Sequence, residues 1–174
     1  VNLFIPDQTV ATYFYAKVLG LTRDPYIEWG PGNMWINAGK QQFHLPTGKP
    51  QILRGHVGVS VPKLSELEAR LRKTNSPLNK TRFDFTRHKH HISVICPWGN
   101  RLKCFEKGTI NDMELGIPYV EFEVPAGASK GIASFYERVM NCKTRRKSNG
   151  CSIFVGRDQF LSFKEVKNFN PNYD

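Results

Sequence analysis

Three segments of the chain share one pattern that decides the fold: Val1-Asn2-Leu3-Phe4-Ile5-Pro6, Val57-Gly58-Val59-Ser60-Val61-Pro62 and Val120-Glu121-Phe122-Glu123-Val124-Pro125. Within each segment apolar residues alternate with other residues, which is typical of a half-buried strand. Each segment ends in proline, which cannot donate a ladder hydrogen bond and therefore ends the strand or lies at a sheet edge. Each segment thus predicts the first strand of one structural unit.

Each predicted strand is followed by an amphipathic helix pattern, in which apolar residues recur three and four positions apart. The first and third helices share residues as well as period, since Phe14-Tyr15-x-x-Val18-Leu19 corresponds to Phe135-Tyr136-x-x-Val139-Met140. Three short strands separated by turn residues are predicted after each helix. Their ranges are 22–28, 34–37 and 41–45 in unit one, 82–86, 91–96 and 102–106 in unit two, and 143–147, 152–155 and 159–165 in unit three. The chain is therefore predicted to repeat the order strand, helix, three strands.

Charge and cysteine content limit the classes of partner. The chain has 25 Lys and Arg residues against 15 Asp and Glu, a formal net charge of +10. The basic residues are scattered and no cluster of them accompanies an aromatic stacking motif, which argues against a nucleic-acid partner. No apolar run is long enough to cross a bilayer, so no membrane association is predicted. Four cysteines without zinc-type spacing predict free thiols in a cytoplasmic protein, with an organelle as the alternative location.

The repeated unit resembles the vicinal oxygen chelate superfamily, which contains glyoxalase I, extradiol dioxygenases, fosfomycin-resistance proteins and bleomycin-binding proteins. Three stretches carry the resemblance: Phe14-Tyr15-Ala16-Lys17-Val18-Leu19-Gly20-Leu21, Gly55-His56-Val57-Gly58-Val59-Ser60-Val61 and Cys96-Pro97-Trp98-Gly99-Asn100-Arg101-Leu102. The resemblance implies an α+β fold in which repeated βαβββ units form curved mixed sheets with helices packed outside. It also implies that units one and two, residues 1–112, pair in one glyoxalase-like module, and that residues 113–174 are the third, incomplete-looking unit of a second module.

In this superfamily the concave face of the paired units holds the site, and metal ligands come from inward positions on the first and last strands. The resemblance places His44 and His56 at two such positions, as candidate metal ligands. The usual last-strand carboxylate of unit two is replaced by Lys103, whose ammonium group donates hydrogen bonds and cannot coordinate a metal. The corresponding positions in unit three are Tyr119 and Leu161. The candidate substrate-binding residues are Lys103, Trp35, Tyr119 and Glu121.

Three interpretations of these residues stay open. In the first, a residue before Val1 completes a three-ligand metal site with His44 and His56, and Lys103 binds an anionic substrate oxygen. In the second, the metal has been lost, and the two histidines and Lys103 form a polar floor for a small anion or polar ligand. In the third, the histidines are satisfied core residues and no site exists. A divalent metal (zinc, iron, nickel or manganese) and no metal at all are equal expectations.

The leading functional hypothesis is a glyoxalase-like protein that binds a small polar or anionic molecule on the concave face, beside a degenerate metal site. The first alternative is a metal-dependent lyase, isomerase or dioxygenase whose ligand set is completed outside this chain. The second alternative is a non-catalytic interaction scaffold. Three units leave one unpaired, and an unpaired curved sheet exposes its inner face. A homodimer or a fourth unit from a longer chain is the expected partner of that unit.

Overall fold

The computed structural model describes residues 1–26, 32–74 and 77–171. Unit one opens with an extended segment that makes isolated parallel bridges from Asn2 to His44 and from Ile5 to Thr47. Its remaining elements are helix α1 (Gln8–Thr12), a π-helix (Tyr13–Val18) and strands β1 (Thr22–Arg23), β2 (Asn33–Ala38) and β3 (Gln41–Pro46). The strand predicted over 22–28 is thus shorter than expected, and its residues 27 and 28 lie outside the described residues.

Units two and three each have the full order of strand, helix and three strands. Unit two consists of β4 (Gly55–Val61), α2 (Leu64–Arg72), β5 (Asp84–Arg87), β6 (Ile92–Ile95) and β7 (Arg101–Glu106), with a short 3-10 helix (Leu78–Lys80) before β5. Unit three consists of β8 (Gly116–Pro125), α3 (Ala128–Met140), β9 (Lys143–Lys147), β10 (Gly150–Gly156) and β11 (Gln159–Val166). The predicted α+β fold of repeated βαβββ units with a curved mixed sheet is confirmed.

Strand pairing joins units two and three, which corrects the expectation that units one and two pair. The eight-stranded sheet has the order β5-β6-β7-β4-β8-β11-β10-β9, and β1-β2-β3 form a separate three-stranded sheet. The two units meet where β4 runs antiparallel to β8. Gly55 permits this approach, because a Cβ atom there would lie 1.8 Å from the carbonyl oxygen of Glu121. Unit one is therefore the unit whose sheet has no partner among the described residues.

The main hydrophobic core joins a different pair of units from the pair that the sheet joins. Unit one contributes Phe14 and Phe43 to this core, and unit two contributes Val59 and Leu67. Unit three has a smaller core of its own, centred on Ala133, Cys151 and Ile153 between α3 and the sheet. Burial thus holds units one and two together, while main-chain hydrogen bonds hold units two and three together. The division of the chain at residue 112 stays a prediction.

The shared helix sequence has opposite environments in units one and three. The exposed fractions are 0, 3 and 3% for Phe14, Val18 and Leu19, and 52, 64 and 58% for their counterparts Phe135, Val139 and Met140. In unit one these side chains pack into the core shared with unit two, where Phe14 also makes an edge contact with Phe83. The equivalent face of α3 contacts no further unit in the described part of the chain, so an apolar strip stays exposed there.

This difference predicts unequal costs for the same substitution. We expect Phe14→Ala to lower the free energy of unfolding by about 3 to 5 kcal/mol, because it opens a cavity in a closed core. Phe135→Ala should change it by less than about 1 kcal/mol, because the removed ring is already half in water. Urea denaturation of both variants measures the two costs. Equal losses would contradict the exposed position of α3's outer face.

Candidate functional site

The concave face of the eight-stranded sheet is the face opposite the helices. Along a strand, successive side chains point to opposite faces. On β4, Val57 and Val59 enter the core on the helix side. His56 and Gly58 alternate with them and therefore lie on the concave face, at the centre of the sheet.

Strand register brings the candidate residues of units two and three together on this face. Across the antiparallel β4–β8 pair, His56 lies opposite Glu121, and Gly58 lies opposite Tyr119. Across the parallel β4–β7 pair, Gly58 lies beside Lys103. Four of the predicted site residues thus occupy neighbouring positions on three central strands.

One hydrogen bond and one close polar contact join three of these side chains into a chain across β4 and β8. The His56 Nε2 atom lies 2.8 Å from the Tyr119 hydroxyl oxygen, and His56 Nδ1 lies 3.4 Å from Glu121 Oε1. On β11, the Ser162 hydroxyl donates to Glu121 Oε2 at 3.1 Å. His56 and Tyr119 are 7 and 8% exposed, so their polar groups depend on one another rather than on water.

Burial and positive neighbours keep the imidazole of His56 uncharged. Its pKa is lowered to about 4, first by desolvation and then by the positive charges of Lys103, Arg101 and Lys164, against a smaller rise from Glu123. At neutral pH the ring is therefore neutral. A neutral ring has one donor nitrogen and one acceptor nitrogen.

The neighbours of His56 decide which nitrogen carries its proton. The Glu121 carboxylate next to Nδ1 can only accept, so the proton lies on Nδ1, and Nε2 accepts from the Tyr119 hydroxyl. Burial, the charge of Glu121 and that of Cys104 raise the pKa of Tyr119 above its usual value, so this hydroxyl keeps its proton. The free lone pair of the Tyr119 oxygen can accept a hydrogen bond, while Lys103 can donate to an anion.

Gly58 makes room for the tyrosine ring. A Cβ atom at this position would lie 2.3 Å from Tyr119 Cε1, so the ring lies directly over the β4 backbone. On its other side the ring stacks on Phe160, with centroids 5.0 Å apart and planes at 11°. Gly58 and Phe160 thus fix the position from which the hydroxyl reaches His56.

His44 and Trp35 lie on the other sheet, apart from His56. They face one another across β2 and β3 and stack with ring centroids 4.0 Å apart. Their atoms His44 Nε2 and Trp35 Nε1, with Asn33 Oδ1 on the same sheet, are buried without a hydrogen-bond partner in the described structure. The strand pairing therefore does not bring His44 together with His56 and Lys103, because unit one forms a sheet separate from the one that units two and three share.

Leu161 does not occupy the inward position at which the resemblance placed it. It packs on the helix side against the small core of unit three, so the inward positions of β11 are its neighbours Phe160 and Ser162, opposite Tyr119 and Glu121. The period of two along β11 could have identified Ser162. No sequence pattern around Gly58 could have identified it, because only the Tyr119 ring on the neighbouring strand shows why a glycine is needed there.

The donor set on the concave face does not fit a divalent metal. Catalytic metals usually take three protein ligands, and the described residues contain no group of three or more His, Cys, Asp or Glu side chains that could hold one. Both ring nitrogens of His56 already face Tyr119 and Glu121. The Lys103 ammonium on the same face would repel a cation.

The lowered pKa of His56 predicts a dependence of stability on pH. A histidine in the unfolded chain titrates near pH 6.5, whereas His56 in the folded chain titrates at about 4. Between these values the unfolded state binds more protons, so stability present above pH 6.5 is lost as the pH falls towards 4. We expect this loss to be about 2 to 3 kcal/mol.

Urea denaturation at pH 7.5 and pH 4.5 measures this loss of stability. His56→Gln should reduce the difference between the two pH values by this amount, and His90→Gln, at an exposed position, should leave it unchanged. The same pH dependence in all three proteins would contradict a neutral buried His56.

The position of Tyr119 over Gly58 predicts that a larger residue at position 58 lowers the stability of the protein. Gly58→Ala should displace the ring and break the bond to His56, with a loss of about 1 to 3 kcal/mol in the free energy of unfolding. Gly131→Ala is the matched control, since a Cβ atom there meets nothing within 4 Å and alanine favours a helix. Thermal unfolding should show a lower midpoint for the first variant and an equal or higher one for the second. A Gly58→Ala protein as stable as the parent would contradict the close contact.

Comparison of the sequence finds no matching family model and no matching curated protein. In the described residues no helix is long and apolar enough to cross a membrane.

The fold, in contrast, matches many solved structures. Glyoxalase I from Zea mays has a TM-score of 0.73 at 12% identity, over 97% of this chain and 66% of that one. A candidate dioxygenase from Bacillus subtilis has a TM-score of 0.65 at 16% identity, over 98% and 64%. The cppA protein from Streptococcus pneumoniae has a TM-score of 0.51 at 12% identity, over 95% and 96%. The chain thus spans slightly less than two thirds of the first two proteins. These likenesses establish a glyoxalase-like fold, as the resemblance to the vicinal oxygen chelate superfamily implied.

Proposed function

We propose that this protein binds a small polar or anionic molecule on the concave face of the sheet formed by units two and three. The observation that carries the proposal is the buried chain Glu121–His56–Tyr119, at the centre of that face beside Lys103. Buried polar groups on a central strand are costly unless satisfied. Here they satisfy one another, and Lys103 beside them adds hydrogen-bond donors on the same face.

The charges around the cluster favour an anion. Lys103, Arg101 and Lys164 all act on His56 as positive neighbours. Arg101 also pairs with Glu123 at 2.9 Å, whereas Lys103 has no ion pair in the described part of the chain. A small anion bound beside Lys103 would gain a charge-assisted hydrogen bond, stronger than one between neutral groups.

A metal-dependent lyase, isomerase or dioxygenase is the alternative function that the family resemblance suggests. The donor set described above does not favour it, since Lys103 occupies the position of the expected carboxylate. Binding without a metal needs only the groups that this face presents. We therefore base the proposal on binding and route no chemical step through a metal.

Titration with acetate and with inorganic phosphate, followed by amide NMR shifts, tests the proposal. We expect shifts on β4, β7 and β8, and a loss of affinity of about tenfold in Lys103→Gln, because one charged hydrogen bond is removed. Lys107→Gln is the matched control, because this exposed lysine follows the same strand and should leave affinity unchanged. Shifts confined to unit one, or equal affinity in both variants, would overturn the proposal.

A further inference from the structure

A second group of cations lies at the unit-three end of the same face. Strand β9 reads Lys143-Thr144-Arg145-Arg146-Lys147, and alternation divides it between the two faces. Arg146 points to the helix side, where it forms an ion pair with Glu137 at 3.0 Å. Arg145 lies opposite Ser152 of β10, which in turn lies opposite the concave-face residue Ser162, so Arg145 and Lys147 point to the concave face. The structure thus neutralises the outward cation and leaves the inward ones without an ion pair in its described part.

These inward cations line a cavity of about 380 Å³. Arg157, on the turn between β10 and β11, adds a third positive side chain to the lining, and Asp158 adds one negative one. The cavity therefore has an excess of positive charge. Its volume lies at the lower end of the range for small-molecule pockets.

Aromatic side chains form the apolar wall of the cavity. Phe154 and Phe160 both line it, and the guanidinium carbon of Arg145 lies 5.5 Å from the centroid of the Phe154 ring. Phe160 also stacks on Tyr119, so the wall of the cavity continues directly into the His56 cluster. One molecule in the cavity can thus contact the cations at one end and the aromatic wall at the other.

We propose that the ligand of the concave face is an anion with a flat aromatic body, whose acidic group binds between Arg145, Lys147 and Arg157 and whose ring lies against Phe154 and Phe160. This inference rests on the proposed function for the concave face as the binding face. It adds the class of ligand and, for a ligand with a ring, places the acidic group in the cavity instead of beside Lys103. Guanidinium groups recognise carboxylates and phosphates with paired hydrogen bonds. Aromatic walls add buried apolar area and ring contacts for a planar body.

A single-stranded nucleic acid would need a different arrangement of the rings. Such binders present ring faces on which successive bases stack. Here Tyr119 and Phe160 turn one face towards each other, with planes at 11°, so the cavity offers only Phe154 and the other side of Phe160, which suffices for one ring and not for successive bases. The geometry favours one small molecule over a strand of bases.

Calorimetric titration with 2-naphthoate tests the inference, with 2-naphthamide as the uncharged probe and acetate as the probe without a ring. We expect 2-naphthoate to bind at least about tenfold more tightly than either, because only it meets both the cations and the rings. The double variant Arg145→Gln, Lys147→Gln should lose about tenfold in affinity for 2-naphthoate. Arg146→Gln, on the same strand but the opposite face, should lose none.

Phe154→Leu gives an independent measurement on an exposed side chain whose replacement leaves the core intact. It should weaken 2-naphthoate and leave acetate unaffected. Equal binding of 2-naphthoate and 2-naphthamide would overturn the inference, as would equal losses in the Arg145 and Arg146 variants. So would an oligothymidylate that binds more tightly than 2-naphthoate and depends on the same arginine.

The variants also separate this inference from the proposed function. If Lys103→Gln weakens 2-naphthoate and the Arg145 double variant does not, the acidic group binds beside His56, and only the inference fails. If the double variant alone weakens 2-naphthoate, the inference holds, and the effect of Lys103→Gln on acetate binding decides the proposed function separately.

Discussion

The antiparallel pairing of β4 with β8 is the constraint on which the site depends. It joins two units that contribute little to each other's hydrophobic core, and it sets the register that places His56 opposite Glu121 and Tyr119 over Gly58. A slip of one residue would send every one of these side chains to the other face. The main-chain hydrogen bonds of this pair therefore specify the site as much as the side chains do.

The electrostatics of the concave face follow from that register. A histidine beside a carboxylate would ordinarily be easy to protonate, yet burial and the cations of β7 and β11 keep His56 neutral. Its ring then has a fixed donor side and a fixed acceptor side, which orient Glu121 and Tyr119. The face thus combines a neutral imidazole and one carboxylate at its centre with the cations Lys103, Arg101 and Lys164 around them.

The internal repeat and the family resemblance predicted the fold, and the resemblance also named candidate residues for the site. The resemblance implied concave-face positions for His56, Lys103 and Tyr119, and alternation along the strand added Glu121, which is in phase with Tyr119. The pairing of units could not be predicted, because a first strand presents the same edge to any partner unit. The expectation that units one and two pair grouped His44 and Trp35 with His56, whereas they lie on the separate three-stranded sheet of unit one.

The charged residues of β9 show the same limit of prediction from sequence. As sequence, Lys143 to Lys147 is one of several scattered basic clusters. Only the partner strands reveal that Arg146 meets Glu137 while Arg145 and Lys147 meet the aromatic wall. The aromatic wall itself comes from β10 and β11, which are separated from Tyr119 and Glu121 on β8 by helix α3 and strand β9. The aromatic wall can therefore be recognised only in the assembled sheet.

The protonation state of His56 is the most direct test of the account, since the cluster, its charge and its place on the β4–β8 pair all determine it. Long-range 1H–15N NMR spectra of the imidazole at pH 7 report which nitrogen carries the proton. The account predicts a neutral ring protonated on Nδ1, with Nε2 accepting the Tyr119 hydroxyl. An imidazolium ion, or a ring protonated on Nε2, would contradict it.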